Sequence, residues 1–128
     1  MKVYTGIDII ETERIKKSLE DKNFITRVFT EKEITYCESR RNEARIQSYS
    51  ARFAAKEAVY KAISEIFEPE IKIDWKQIEI IIDETKRPKV NLKFESEKVK
   101  NLSIDVSLSH IKEYAVASAV AVYEEKSE

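Results

Sequence analysis

The hydrophobic period of this chain changes once, and the change divides it into two halves. Val3 to Ile10 is an apolar run that predicts a short strand. Gly6 interrupts it as the only glycine of the sequence, and glycine within a strand marks a bulge or the close approach of another backbone. Residues 12–21 predict a helix with Ile15 and Leu19 inward and Arg14, Lys16 and Lys17 outward. Residues 24–29 connect to a helix start at Thr30, where Glu33 completes a capping box and Phe29 and Ile34 take the staple positions. That helix is expected to run to about Ser39. A much longer one begins near Asn42 and ends by Glu68, because Pro69 disfavours helix in the residue before it.

Beyond Pro69 the period becomes two. Ile78, Ile80 and Ile82 alternate with Glu79, Ile81 and Asp83; after a turn over Thr85 to Pro88, Val90, Leu92 and Phe94 alternate with Asn91, Lys93 and Glu95. Residues 96–101 form a polar, helix-compatible connection. Ile104, Val106 and Leu108 lead to His110, and after Ile111 to Glu113 a last strand carries Ala115, Ala117, Ala119 and Ala121 on one side. The tail from Glu124 is expected to fray. One strand, then helices, then antiparallel strands reads as an α+β fold, with residues 1–128 as a single domain.

The long helix organises the rest. At about 100° per residue, one face carries Ala51, Ala55, Ala58 and Ala62, a row of methyl groups that lets another element pack close. The Ala row of the last strand is its natural seat. A second face carries Arg41, Arg45, Arg52 and Lys56, and a third sets Glu57 and Lys61 one above the other beside Phe53. This pattern is expected of a helix that holds an anion.

Composition refines the picture without overturning it. Hydrophobic residues make up 42%, charged residues 37%, and the net charge is −1, so the whole molecule does not attract polyanions. Residues 40–61 nevertheless hold six Lys/Arg against two Glu, and a local basic patch steers anionic ligands even near neutrality. The single cysteine, Cys37, forms no internal disulfide and fits a reducing compartment. Met1-Lys2 leads directly into the first strand, so no signal peptide is expected. No stretch approaches the ~20 apolar residues of a membrane span, and a cytoplasmic location is expected.

Four polar residues have no obvious structural role: Asp8, Glu57, Lys61 and His110, the alternatives being that Asp8 caps the next helix and that His110, taken alone, is structural. Asp8 lies between Ile7 and Ile9 in a run that looks buried, where an acid needs a partner, a metal or a raised pKa. Two carboxylates from separate elements suit a hard divalent ion such as magnesium, which fills its octahedron with water and substrate phosphates. Lys61 and the Arg52/Lys56 row would neutralise phosphate charge. The pattern describes a phosphate ester or pyrophosphate site. With one glycine the chain has no Gly-rich phosphate loop, and the lone His110 lacks the partners zinc requires.

At these residues the sequence resembles the holo-[acyl-carrier-protein] synthases, the small homotrimeric 4′-phosphopantetheinyl transferases. The matching segments are Gly6-Ile7-Asp8-Ile9-Ile10-Glu11, Phe29-Thr30-Glu31-Lys32-Glu33, Arg52-Phe53-Ala54-Ala55-Lys56-Glu57-Ala58 with Lys61, and Ser107-Leu108-Ser109-His110. Together they span nearly the whole chain. The resemblance implies a long central helix packed on a small antiparallel sheet, with active sites between the subunits of a homotrimer. It implies transfer of 4′-phosphopantetheine from coenzyme A to a serine of apo acyl carrier protein in fatty acid biosynthesis, releasing adenosine 3′,5′-bisphosphate. Asp8 and Glu57 would bind Mg2+ with the coenzyme A pyrophosphate, and Lys61 would contact the transferred phosphate. Arg52 and Lys56 would bind the nucleotide half, with His110 nearby and Arg87 and Pro88 at the adenine turn. Arg14 and Arg27 would face the acidic helix of the carrier. The serine needs a base, and both Glu57 and a metal-bound water remain open.

Two segments depart from the family pattern. Ser64-Glu65-Ile66-Phe67 stands where a Gly-containing turn is usual, and Lys86-Arg87-Pro88 where many relatives have glycine before the basic-Pro pair. A rival reading is a non-catalytic anion or nucleic-acid module built on the basic helix, but it leaves Asp8 and Glu57 as unhelpful negative charge. RNA binders add exposed aromatics on a sheet, whereas these strands present Ile, Val and Ala, so no nucleic-acid partner and no membrane are expected. The same transfer to a polyketide-type carrier is not separable at this level.

Overall fold

A computed structural model describes residues 1–125 of the chain. Strand β1 (Lys2–Glu11) is followed by four helices, α1 (Thr12–Ser18), α2 (Lys22–Val28), α3 (Glu31–Glu38) and α4 (Asn42–Phe67). A 3-10 turn (Trp75–Gln77) leads into β2 (Ile78–Ile82) and β3 (Pro88–Leu92); a second one (Glu97–Asn101) leads into β4 (Leu102–His110) and β5 (Tyr114–Tyr123). The order is that of an α+β fold.

All strand pairings are antiparallel, giving a three-stranded sheet ordered β1-β5-β4 and a separate β2-β3 ribbon. The 26-residue helix α4 lies across the larger sheet. Ala55, Ala58 and Ala62 of the expected helix row, joined by Ala54, share one buried core with Ala117, Ala119 and Ala121 of β5; the outermost members of the two rows, Ala51 and Ala115, lie outside that core, and Ala51 lines a recess instead. Gly6 completes the close fit. A β-carbon placed there would run into the carbonyl oxygen of Ala58 and lie 3.0 Å from the amide nitrogen of Ala62. A second core of Ile15, Leu19, Val28, Phe29, Cys37 and Tyr49 fills the space under the short helices.

Several expectations shift. The helix expected over residues 12–21 ends at Ser18, because Asp21 caps a new helix by accepting a hydrogen bond from the amide of Asn23 (2.9 Å). Residues 24–29, expected as a connection, therefore lie almost wholly in α2. The second strand of the ribbon is Pro88–Leu92, displaced toward the turn, and Phe94 instead meets Phe67 edge-on (5.0 Å). Glu124 does not fray, since its amide donates to the carbonyl of Asn101 (3.0 Å); the rest of the expected loose tail, residues 126–128, lies outside the described residues. The expected burial of the run around Asp8 is reversed. Asp8 faces α4, whereas Ile7 and Ile9 are 65% and 64% exposed on the uncovered side of the sheet.

Candidate active site

The β1 edge of the sheet and the adjacent face of α4 bring Asp8, Glu57 and Lys61 together. Glu57 and Lys61 stand one turn apart on the helix. The Lys61 ammonium lies 3.2 Å from Asp8 Oδ1 and donates to the carbonyl of Ile7 (3.0 Å). Burial pushes the Glu57 carboxyl above its usual range, the negative charge of Asp8 adds to this, and Lys61 opposes it. A cleft of about 770 Å3 opens at this point, with Glu57, Tyr60 and Glu68 on one side and Ile73, Trp75 and Ile78 on the other. Its floor is tied by Tyr60, whose hydroxyl donates to Glu68 (2.7 Å), while the second Glu68 oxygen accepts from the amide of Ile73 (3.2 Å).

Among the described residues no group of three His, Cys, Asp or Glu converges on one point. Asp8 and Glu57, within each other's electrostatic reach, are an oxygen-only pair, and a magnesium ion is satisfied by two carboxylates when substrate phosphates and water complete its shell. The donor set fits that ion.

A second recess, about 450 Å3, lies on the β4 edge. Its lining includes Tyr36, Arg40, Arg52, Arg87, Pro88 and His110, with Lys86 and Ser107 beside them and no acidic residue. Arg52 is only 2% exposed, yet its one hydrogen bond is a long one to the carbonyl of Ser48 (3.4 Å). Its Nε has no partner, and its guanidinium lies over the Tyr36 ring at 4.3 Å. A buried cation without an acid is costly, and an anionic ligand would relieve that cost. The turn before Pro88 adopts the left-handed conformation at Lys86 (φ 66°) that glycine would take freely. Asp83 holds it, accepting from the amides of Thr85 (2.9 Å) and Arg87 (3.3 Å).

The two halves do not meet within one chain. Asp8 and Leu108 flank Ala117 of β5 from opposite sides, so a whole strand separates the edges. Asp8, Glu57 and Lys61 do not line the basic recess, and Arg52, Arg87, Pro88 and His110 do not line the cleft.

Lys56 departs from its expected place. Its ammonium is fully buried, 2.8 Å from Glu33 Oε1, and donates to the carbonyls of Trp75 (3.0 Å) and Ile78 (2.6 Å). An ammonium has three N–H donors, and all three are committed, so none is left for a nucleotide. Arg45, from the same row, is spent on Glu38 (2.9 Å). The row is thus no continuous anion surface, and the nucleic-acid rival loses its main support. Arg14 and Arg27 are exposed on α1 and α2, and among the described residues neither takes part in an ion pair. Cys37 is fully buried, and desolvation pushes its thiol up to about 12, which keeps it neutral and unreactive. Arg40, Lys86 and Tyr36 were not expected at a site. A basic residue just before a helix or in a turn carries no local signal of the recess it joins.

The fold agrees with comparison to known proteins. The chain belongs to the 4′-phosphopantetheinyl transferase superfamily, whose family model matches residues 4–119. The holo-[acyl-carrier-protein] synthase of Ruminiclostridium cellulolyticum is 43% identical over 126 residues, covering 94% of this chain and 92% of that protein. That of Chlamydia felis is 42% identical over 122 residues, covering 93% and 96%. Among solved structures, holo-(acyl-carrier-protein) synthase from Bacillus anthracis in complex with CoA (3′,5′-ADP) superposes with a TM-score of 0.76 at 31% identity, over 92% of this chain and 94% of that one. The Chronobacterium ammoniagenes ACPS–CoA complex shares the fold, with a TM-score of 0.81 at 23% identity over 98% and 100% of the two chains.

Proposed function

We propose that this chain is a holo-[acyl-carrier-protein] synthase, moving 4′-phosphopantetheine from coenzyme A to a serine of apo acyl carrier protein and releasing adenosine 3′,5′-bisphosphate. The observation that carries the reading is the pair of complementary half-sites: a carboxylate pair with a lysine on one edge, and an acid-free basic recess with an unpartnered buried arginine on the other.

Arg52 and His110, with Arg87 and Pro88 at the turn, hold the nucleotide half. Asp8 and Glu57 would hold Mg2+, which when bound would supply positive charge to the pyrophosphate. Lys61 meets the phosphate being transferred, and the arm attached to that phosphate extends into the cleft beside Glu57. The serine Oγ forms a bond to the pantetheine-side phosphorus as the bond from that phosphorus to the bridging oxygen breaks; the oxygen leaves with the bisphosphate. Charge accumulating there is stabilised by the Lys61 ammonium, largely through positioning and electrostatics. Of the two acids Glu57 is the one that lines the cleft, which places it to accept the serine proton. Arg14 and Arg27 present positive charge to an acidic carrier helix.

The active unit is a homotrimer with sites between subunits, so that one protomer's recess faces its neighbour's carboxylates. Exposed Val3, Ile7, Ile9, Tyr114 and Val120 on the uncovered sheet face support this assembly. We place the protein in the cytoplasm, in fatty acid biosynthesis, with all of residues 1–128 acting as one transferase domain; no helix among the described residues is long and apolar enough to cross a membrane.

The test is incubation with coenzyme A, Mg2+ and an apo acyl carrier protein, followed by intact-mass measurement. The carrier gains the phosphopantetheine mass. An unshifted carrier under every divalent ion tried would sink the proposal. Sedimentation of the same sample distinguishes trimer from monomer.

A further inference from the structure

Trp75 and Ile78 form one wall of the cleft beside Glu57, and that wall has little regular structure of its own. It consists of the segment after α4, one 3-10 turn and the first residue of β2. Besides the Tyr60–Glu68–Ile73 link and the packing of Ile73 and Ile78 against α4, it is held to the helix by Lys56, the neighbour of Glu57 in sequence, turned about 100° into the interior. The Lys56 ammonium takes the carbonyls of Trp75 and Ile78 at 3.0 and 2.6 Å and Glu33 Oε1 at 2.8 Å. Glu33 in turn accepts from the amides of Thr30 (2.8 Å) and Ile80 (2.7 Å). One charged pair thereby ties α3, α4 and β2 at a single interior point. The Trp75 ring stacks on Phe53 of α4 at 5.3 Å, so the wall meets the helix both below and beside the cleft.

A buried ion pair is a poor source of stability, since well-packed apolar residues of equal volume often do as well or better. Burial itself pulls the Lys56 pKa down, with Glu33 resisting. What apolar residues could not do is satisfy two wall carbonyls in one fixed geometry. We propose that Lys56 is a positioning residue that fixes the Trp75–Ile78 wall against α4, setting the width of the cleft into which the arm of the substrate extends. This rests on the transferase reading above. Lys56 acts through the wall and touches no substrate.

The test replaces the pair while keeping volume, as Lys56→Met with Glu33→Gln, and compares it with Lys56→Arg, which retains the charge opposite Glu33. Trp75 is the only tryptophan, so its fluorescence reports the wall directly. In the double variant, folded by circular dichroism, Trp75 emission shifts to longer wavelength. The KM for coenzyme A rises about tenfold with a smaller fall in kcat, and inhibition by adenosine 3′,5′-bisphosphate, which lacks the arm, is unchanged. Lys56→Arg recovers part of both the emission and the KM. If inhibition by the bisphosphate weakens in parallel with coenzyme A, Lys56 contacts the nucleotide and the proposal is wrong. It is equally wrong if only the melting temperature falls while KM and emission hold. Should the unmodified protein fail to bind coenzyme A at all, the transferase reading falls, but the emission of the variants still decides whether Lys56 holds the wall.

Discussion

Arg52 and Lys56 stand one turn apart on α4, both almost wholly buried, and their surroundings are opposites. Around Lys56 every donor is taken, by one carboxylate and two carbonyls. Around Arg52 there is an aromatic face, one long hydrogen bond and an Nε with no partner, in a recess without acids. A satisfied buried cation organises structure, and an unsatisfied one is suited to an anionic ligand. Burial and charge alone do not separate structural from functional lysines and arginines; the inventory of partners does.

The sharpest way to break this contrast is to truncate the satisfied cation alone. Lys56→Met leaves the Glu33 carboxylate buried without its counter-charge and two carbonyls without a donor, so unfolding in urea should show a loss of roughly 3–5 kcal/mol. Adding Glu33→Gln should return much of it. If Lys56→Met alone is neutral, the interior pair is not the anchor that its distances indicate.

The contrast also requires α4 to hold one distance from the sheet, and Gly6 sets that distance on the β1 side. Gly6→Ala sets a methyl group against the backbone of Ala58 and Ala62, where no side chain can rotate away. A destabilisation of about 1–3 kcal/mol is expected from such overpacking, with Asp8 pushed away from Lys61 and transfer activity lost in the fraction that remains folded. Thermal melts and single-turnover assays read the two effects separately.

Arg52→Met supplies the complementary half. It removes an unpartnered buried donor and a cation–π contact together, so stability should stay within about 1 kcal/mol. The value of kcat/KM for coenzyme A should fall about 30-fold, equivalent to roughly 2 kcal/mol of charge-assisted binding. Stability loss with unchanged kinetics would exchange the roles of Arg52 and Lys56.

Why the sequence did not separate these two residues is physically plain. The Arg-Phe-Ala-Ala-Lys-Glu string set both on one helical face, and that much is correct. What Lys56 meets lies 19 to 23 positions away in the chain, at Trp75, Ile78 and Glu33. Glu33 was legible as a capping-box residue, and its Oε1 does accept from the Thr30 amide; the same oxygen also serves Lys56, which no local pattern announces. The two alanine rows and the bounds of α4 were readable because period and proline position are local. The direction in which Ile7 and Ile9 point was not. An alternating strand has two faces, and only what covers each one decides which is interior.

The smallest effect concerns a third member of the row, Arg45, whose partner lies near the surface. Hydrogen bonds from Arg45 and then Tyr49 hold the Glu38 carboxyl below its ordinary range, against a weaker opposing effect of burial. A depressed carboxyl contributes stability above its unfolded pKa of about 4.3, and that contribution is lost as pH falls through the lower folded value. The Glu38 side chain is 44% exposed, so solvent screening keeps its share below about 1 kcal/mol. Glu38→Gln should therefore be slightly less stable than the parent at pH 7, with the gap narrowing below about pH 4 as the parent's own Glu38 takes up its proton. Denaturation midpoints across that range measure it. A gap that widens on acidification would mean that the surface pair around Arg45 lacks the favourable electrostatics its geometry describes.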